Sequence, residues 1–255
     1  MTRGAQRTLC TSPPPGYHFS GLGNPQDSHH LSTPMRISHR HRFVFFASPK
    51  TGSRSVRKLL DPYAEIHGRA GHEVTADFPF YNHMRPVEAR DAFKDRGWDF
   101  DGYFKFVMVR SPWSRLVSLY EMFAFREGGQ WSRLRRRSTR HRGFRAWVRT
   151  LDPEGRRAVP PGSDTSVIRY GAFSYIGFAG DEDGRPLVDE VIKLEEIKSA
   201  LPPVLERLGV PLPPRMPRTG RGRYRGGHRA YYDDETRELV GTLYAEDIER
   251  FGYEF

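Results

Sequence analysis

Twice along this chain an apolar run passes straight into a turn of cationic and hydroxyl residues and then into a helix pattern. That recurrence limits the folds open to it. The first unit begins at Phe43-Val44-Phe45-Phe46-Ala47. Apolar residues without alternation suit a strand covered on both faces, the situation inside a parallel sheet. The turn Ser48-Pro49-Lys50-Thr51-Gly52-Ser53 follows, then a short helix with Val56, Leu59 and Leu60 on one face, ended by Asp61-Pro62. The second unit begins at the strand Tyr103 to Val109. Ser111 then falls at the N-cap and Pro112 at the first helical position. Trp113, Leu116, Val117, Tyr120 and Ala124 form an apolar stripe at helical spacing.

The rest of the chain continues the alternation. Helices are expected from Pro86 to about Phe93 and from about Phe144 to Leu151. Val188 to Leu194 reads as a third strand, and Leu205 and Leu208 belong to a helix closed by Gly209. A last helix is expected from about Asp234 to Arg250, acidic in its first turn as the helix dipole favours, with Leu239, Val240, Leu243, Tyr244, Ile248 and Phe251 buried. Strands alternating with helices imply an α/β fold in three layers, a parallel sheet flanked by helices.

Residues 1–40 lack a periodic apolar pattern and are rich in Pro, Ser, Gly, Arg and His, which reads as a disordered basic leader. Order is expected from Arg42, with one domain over 41–255. Two basic loops interrupt it, 131–145 and the glycine-rich 215–229, and 155–162 is a further loop. Cys10 is the only cysteine, so an internal disulfide and a cysteine-based metal site are excluded. No run approaches the ~20 apolar residues of a membrane helix. The N-terminus carries no apolar signal segment, and the expected location is cytoplasmic. Against 31 acidic residues stand 41 basic ones, a net charge of +10, which calls for an anionic partner without choosing which.

The first turn has what an anion needs. A helix N-terminus offers free N–H groups and the positive end of a dipole. Gly52 permits close backbone approach, Lys50 adds a point charge, and Thr51, Ser53 and Ser55 add hydroxyls. It is no Walker A loop, because lysine precedes the only glycine instead of following the second. In the second unit Arg110 lies at the carboxyl end of a strand, where α/β sheets bind ligands. Ser111, Ser114, Arg115 and Ser118 share the helix face opposite the apolar stripe, so Arg110 and Ser118 can converge on one phosphate. In isolation the first segment also fits an ordinary helix start, and the second a surface arginine above a solvated helix face.

Together the segments P-K-T-G-S-x-S and F-x-F-x-x-V-R-x-P-x-x-R-L-V-S-x-Y resemble the sulfotransferases that use 3′-phosphoadenosine 5′-phosphosulfate (PAPS). The nearest branch is the carbohydrate sulfotransferases that include heparan sulfate 2-O-sulfotransferase and its bacterial relatives. Weaker similarities lie in Asn82-His83-Met84-Arg85-Pro86-Val87-Glu88, in Val188 to Glu195, and in Tyr231-Tyr232 through Phe251-Gly252-Tyr253. The resemblance spans about 42–255 and implies a P-loop-like nucleotide-binding sulfotransferase fold. It implies that Lys50, Thr51, Gly52, Ser53 and Ser55 grip the 5′-phosphosulfate end of PAPS, and Arg110 and Ser118 the 3′-phosphate. Arg54 departs from the small or hydroxyl residue usual there; it either adds a phosphate contact or points to solvent.

By the same resemblance PAPS is the co-substrate, no metal takes part, and the acceptor is a hydroxyl, with the basic loops favouring an anionic glycan. Lys50 would sit on the bridging oxygen of the leaving phosphate, and His83 would take the acceptor's proton. His72, His67 and Glu88 are the reserve bases. Two other classes stay open. One is a basic polyanion- or nucleic-acid-binding protein without catalysis, resting on Arg133 to Arg142 beside Trp131, although no nucleic-acid module is recognisable. The other is a nucleotide kinase, against which the missing Walker A loop counts. A relative that binds nucleotide without chemistry is a further possibility, with nothing in the sequence to favour it.

Overall fold

The computed structural model describes residues 35–70, 73–128, 137–151, 172–214 and 227–255. Five strands form one sheet: β1 (Arg36–Ser38), β2 (Phe43–Phe46), β3 (Ile66–His67), β4 (Phe104–Val109) and β5 (Glu190–Lys193). Their order is β3-β1-β2-β4-β5. β2, β4 and β5 run parallel, as expected, while β1 lies antiparallel to both β2 and β3. The sheet is therefore mixed, with a parallel half that carries the two motif units and an antiparallel edge.

The leader gives way to sheet sooner than its composition suggested. Met35 is fully buried and β1 begins at Arg36. Arg36 is itself buried and holds Asp61 through Nε at 2.6 Å. A strand of three residues among histidines and arginines has no periodicity to find.

Eight helices accompany the sheet among the described residues: α1 (Ser53–Leu60), α2 (Pro86–Lys94), α3 (Pro112–Gly128), α4 (Arg137–Val148), α5 (Tyr175–Ala179), α6 (Ile197–Arg207), α7 (Asp234–Leu243) and α8 (Ala245–Phe251). The strands alternate their side chains between two cores. Val44, Phe46, Val107 and Val109 face a core shared with α2, α3, α4, α7 and α8. Phe43, Phe45, Phe104, Phe106 and Met108 face one shared with Val56 and Leu60 of α1 and Leu201, Val204 and Leu205 of α6. This is the expected three-layer arrangement. No described helix is long and apolar enough to cross a membrane.

Two helix expectations change. The first expected helix bound, near Phe144, moves back to Arg137, so part of the basic stretch 131–145 is helix α4 and not loop. Gly143 argues against a helix in sequence, yet a Cβ there would stand 2.4 Å from the Tyr120 hydroxyl oxygen. The glycine is what lets α3 and α4 approach. The expected single C-terminal helix is two, broken at Tyr244 (φ −119°, ψ 26°). The break lets Asp247 turn inward, where its carboxylate accepts the Tyr175 N–H at the start of α5 at 2.9 Å. The leader 1–34 and the loops at 131–136, 155–162 and 215–226 lie outside the described residues.

Candidate active site

Both motif turns leave the carboxyl ends of adjacent parallel strands, β2 and β4, and each opens a helix, α1 and α3. Parallel pairing therefore brings the turns side by side. Arg110 joins them: its Nε donates to Ser114 Oγ at 2.7 Å and its Nη1 to the Lys50 carbonyl at 3.3 Å.

The first turn is held in an uncommon shape. Lys50 and Gly52 both have left-handed backbone, with φ of 66° and 81°. Gly52 answers a second demand as well, because a Cβ there would stand 2.5 Å from Leu194 Cδ1. Thr51 is fully buried and donates its hydroxyl to the Ser48 carbonyl at 2.8 Å. A threonine has one hydroxyl hydrogen, so in this arrangement it locks the turn. Ser53 is buried at the first position of α1, Ser55 is half-buried, and Arg54 is exposed.

His83 stands against this turn. It is buried, has φ of 58°, and its Nδ1 donates to the carbonyl of Ala47, the residue that follows β2. A carbonyl only accepts, so the proton resides on Nδ1 and Nε2 keeps the basic lone pair. Burial lowers its pKa to about 4, opposed by the Ala47 bond and assisted by the charges of Arg57 and Lys50. Arg57 comes from α1 one turn beyond Ser53 and is itself buried, its pKa brought down to about 10 by burial and by Arg36. Arg42, Lys50 and His83 are the non-glycine residues with positive φ among those described. Two of them meet here, and strained backbone of this kind gathers at functional sites.

The reserve bases are placed elsewhere. Glu88 caps α2, accepting from the Arg85 N–H at 2.9 Å. His67 is exposed on edge strand β3 with Nε2 3.0 Å from the Ala64 carbonyl. His72 lies outside the described residues. Ser118 is half-buried on α3, one turn beyond the Ser114 that Arg110 holds. The polar face of α3 is not solvated: Arg115 is buried there and donates to the Phe173 carbonyl at 2.6 Å.

Beside Arg110 opens a cavity of about 610 Å³, lined by Ser111, just before α3, and by Ser114 in its first turn. The end of β5 contributes Lys193 and the residues after it, and the C-terminal region contributes His228 and Tyr253. Glu195 accepts the Ser111 N–H at 2.9 Å, which ties the end of β5 to the start of α3. Lys193 donates to the Phe251 carbonyl at 3.0 Å and pairs with Glu196, so it fastens the turn that carries Tyr253. Ser111 holds the N-cap position that the sequence predicts, but its hydroxyl makes no capping bond. Glu195 and Tyr253 fall in the two later segments of the resemblance. His228 was invisible in sequence, one histidine at the end of a basic glycine-rich stretch.

Two adjacent strand–turn–helix units bring lysine, arginine, hydroxyls and helix N-termini to one region of an α/β protein. The sequence model of the sulfotransferase family matches residues 33–254. The chain belongs to that family, and its fold is that of an α/β sulfotransferase. No curated protein and no solved structure matches it. Membership supports sulfuryl transfer over the kinase and pure polyanion-binding alternatives.

Proposed function

We propose that the chain moves a sulfuryl group from PAPS to a hydroxyl of a carbohydrate or other glycan-like acceptor, as in the heparan sulfate 2-O-sulfotransferase branch. The observation that carries this reading is the meeting of Lys50 and His83, both on left-handed backbone, at the turn after β2. The site fits a nucleotide with phosphate at both ends. The turn 50–55 faces the 5′-phosphosulfate, and Arg110, fixed between Ser114 and the Lys50 carbonyl, faces the 3′-phosphate. Ser118 remains a proposed neighbour of that phosphate, one turn further along α3.

The acceptor oxygen attacks sulfur as its proton passes to His83 Nε2. The bond from sulfur to the bridging oxygen breaks, and the leaving bisphosphate carries the charge beside Lys50. Positioning and electrostatic stabilisation supply most of such a rate, as in phosphoryl transfer. A base with pKa near 4 is weak; burial is the main cause, and the charges of Arg57 and Lys50 add to it. An anionic donor would offset the part set by those charges and so raise the basicity of His83. Basic character around the site supports an anionic acceptor. Part of it is already engaged, since Arg145 pairs with Asp233 and Arg149 with Glu235.

Calorimetric titration with adenosine 3′,5′-bisphosphate (PAP), beside ATP, is the first test. Binding that Lys50→Ala and Arg110→Ala each weaken, with little response to ATP, is expected. No PAP binding by folded protein sinks the reading. With an acceptor in hand, His83→Asn should lower kcat by roughly 10²–10⁴-fold, the usual contribution of a positioned base, while leaving PAP affinity near that of the parent.

A further inference from the structure

His83 holds a backbone conformation that histidine rarely adopts. It is the third residue of the turn Tyr81 to Met84, closed by the Met84 N–H on the Tyr81 carbonyl at 3.3 Å. A positive φ at that position usually takes glycine or asparagine. Such a residue persists only where its surroundings fix it from several sides. Upstream, the Asn82 N–H donates to the Arg69 carbonyl at 2.8 Å, and the imidazole itself holds the Ala47 carbonyl. Downstream stands Arg85. Its Nε donates to the Phe178 carbonyl at 3.3 Å and its Nη2 to the Gly180 carbonyl at 3.4 Å, with the guanidinium 5.7 Å from the centre of the Phe173 ring.

The receiving segment needs those donors. The last carbonyls of a helix have no partner within it. At the end of α5 the Gly180 N–H takes the Ile176 carbonyl, the Leu187 N–H takes that of Ala179, and Arg85 takes those of Phe178 and Gly180. An arginine fork reaches two carbonyls at once, where lysine offers a single point charge. A Cβ on Gly180 would stand 2.7 Å from the Ile176 carbonyl oxygen, so this end of the segment has little room to shift. The other end is fastened as well. Arg115 of α3 donates to the Phe173 carbonyl, Asp247 accepts the Tyr175 N–H, and the Tyr244 hydroxyl donates to the Ala172 carbonyl. Arg115 follows Ser114, the residue that Arg110 holds. We infer that the segment 172–180 braces the base turn against α3, and that Arg85 is the positioning residue that holds His83 in place through it. The inference rests on the proposed function, which makes His83 the base.

The test follows the imidazole by NMR in the whole chain with isotope-labelled histidine, His83 being assigned by the loss of its signal in His83→Asn. In the wild type it should titrate near pH 4. Arg85→Met keeps an unbranched side chain but gives up the fork. The turn should then relax toward solvent and the proton affinity of His83 should rise by roughly tenfold or more, one pKa unit at least, with faster hydrogen exchange at the Met84 amide. Arg85→Lys should fall between the two. Gly180→Ala disturbs the same contact from its other side and should move His83 in the same direction. PAP affinity should stay within about twofold of the wild type in all three variants, as for a site with no shared partner, because neither the turn 50–55 nor Arg110 uses Arg85. An unmoved imidazole in Arg85→Met and Gly180→Ala would leave Arg85 as a cap on α5 alone and overturn the inference. PAP affinity lost in step with the imidazole shift would make Arg85 a general prop of the fold and overturn it equally; either result leaves the proposed function standing. No PAP binding by the wild type overturns the proposed function, and the role of His83 with it.

Discussion

At the scale of single residues, the turn after β2 is where local cost and the proposed function coincide. Gly52 answers two constraints at once, a left-handed backbone and the approach of Leu194. Gly52→Ala should therefore destabilise the protein by about 1–2 kcal/mol, from the strained φ plus the displaced leucine, read as a lower urea midpoint. It should also weaken PAP binding, because the same backbone would face the donor. His83 makes a sharper claim. Its free-enzyme pKa of about 4 means that it is already neutral well below pH 7. The acid limb that His83 contributes to kcat/KM should then fall near pH 4, while the limb in kcat, which reports the complex, should fall higher. Coincident limbs near pH 6.5 would show an imidazole that is neither buried nor flanked by Lys50 and Arg57.

At the scale of elements, what the sequence revealed follows from burial. β2 and β4 are covered on both faces, so their apolar runs were plain, and α1, α2 and the start of α3 carried stop and start residues. β1 and β3 have three and two residues at the antiparallel edge, too short for any period. The break at Tyr244 carries no glycine or proline; it is set by what Tyr244 and Asp247 reach, Ala172 and Tyr175. α4 was legible only from Phe144 because Gly143 and the arginines before it suggest loop. The contact between α3 and α4 is testable as a pair. Gly143→Ala alone drives a methyl to 2.4 Å from the Tyr120 oxygen and should lose about 1–3 kcal/mol, the usual range for overpacking. In a Tyr120→Phe background the next atom, the ring Cζ, stands at 3.6 Å. There the helix-propensity gain of alanine over glycine, about 1 kcal/mol, should emerge and the sign should reverse. Additive effects in this double-mutant cycle would mean that the two helices do not meet at Gly143.

At the scale of the whole molecule, the cavity beside Arg110 is lined from both ends of the domain, so its motif side was readable, Glu195 and Tyr253 fell in weaker similarities, and His228 was not legible. Lys50, Arg110 and His83 sit in compact segments with recognisable neighbours. His228 and Tyr253 reach the same cavity through the fold, and Lys193, donating to the Phe251 carbonyl, fastens the turn that carries Tyr253. Long-range assembly also leaves two buried titrating groups with opposite demands. Burial lowers His83 from 6.5 to about 4, and burial raises Asp247 from 3.8 to about 6. Between pH 4 and 6.5 the unfolded chain binds a proton at residue 83 that the folded chain refuses, so this group makes stability rise with pH. Between about pH 4 and 6 the folded chain holds a proton at residue 247 that the unfolded chain has lost, so that group makes stability fall with pH. Each shift is worth ~3 kcal/mol across its window at 1.36 kcal/mol per pKa unit, and the two slopes oppose over nearly the same range. His83→Asn should therefore tilt the stability profile downward with rising pH relative to wild type, and Asp247→Asn should tilt it upward, in denaturant titrations at half-unit steps from pH 4 to 7. Parallel profiles for all three proteins would mean that neither group is buried as described in the folded chain.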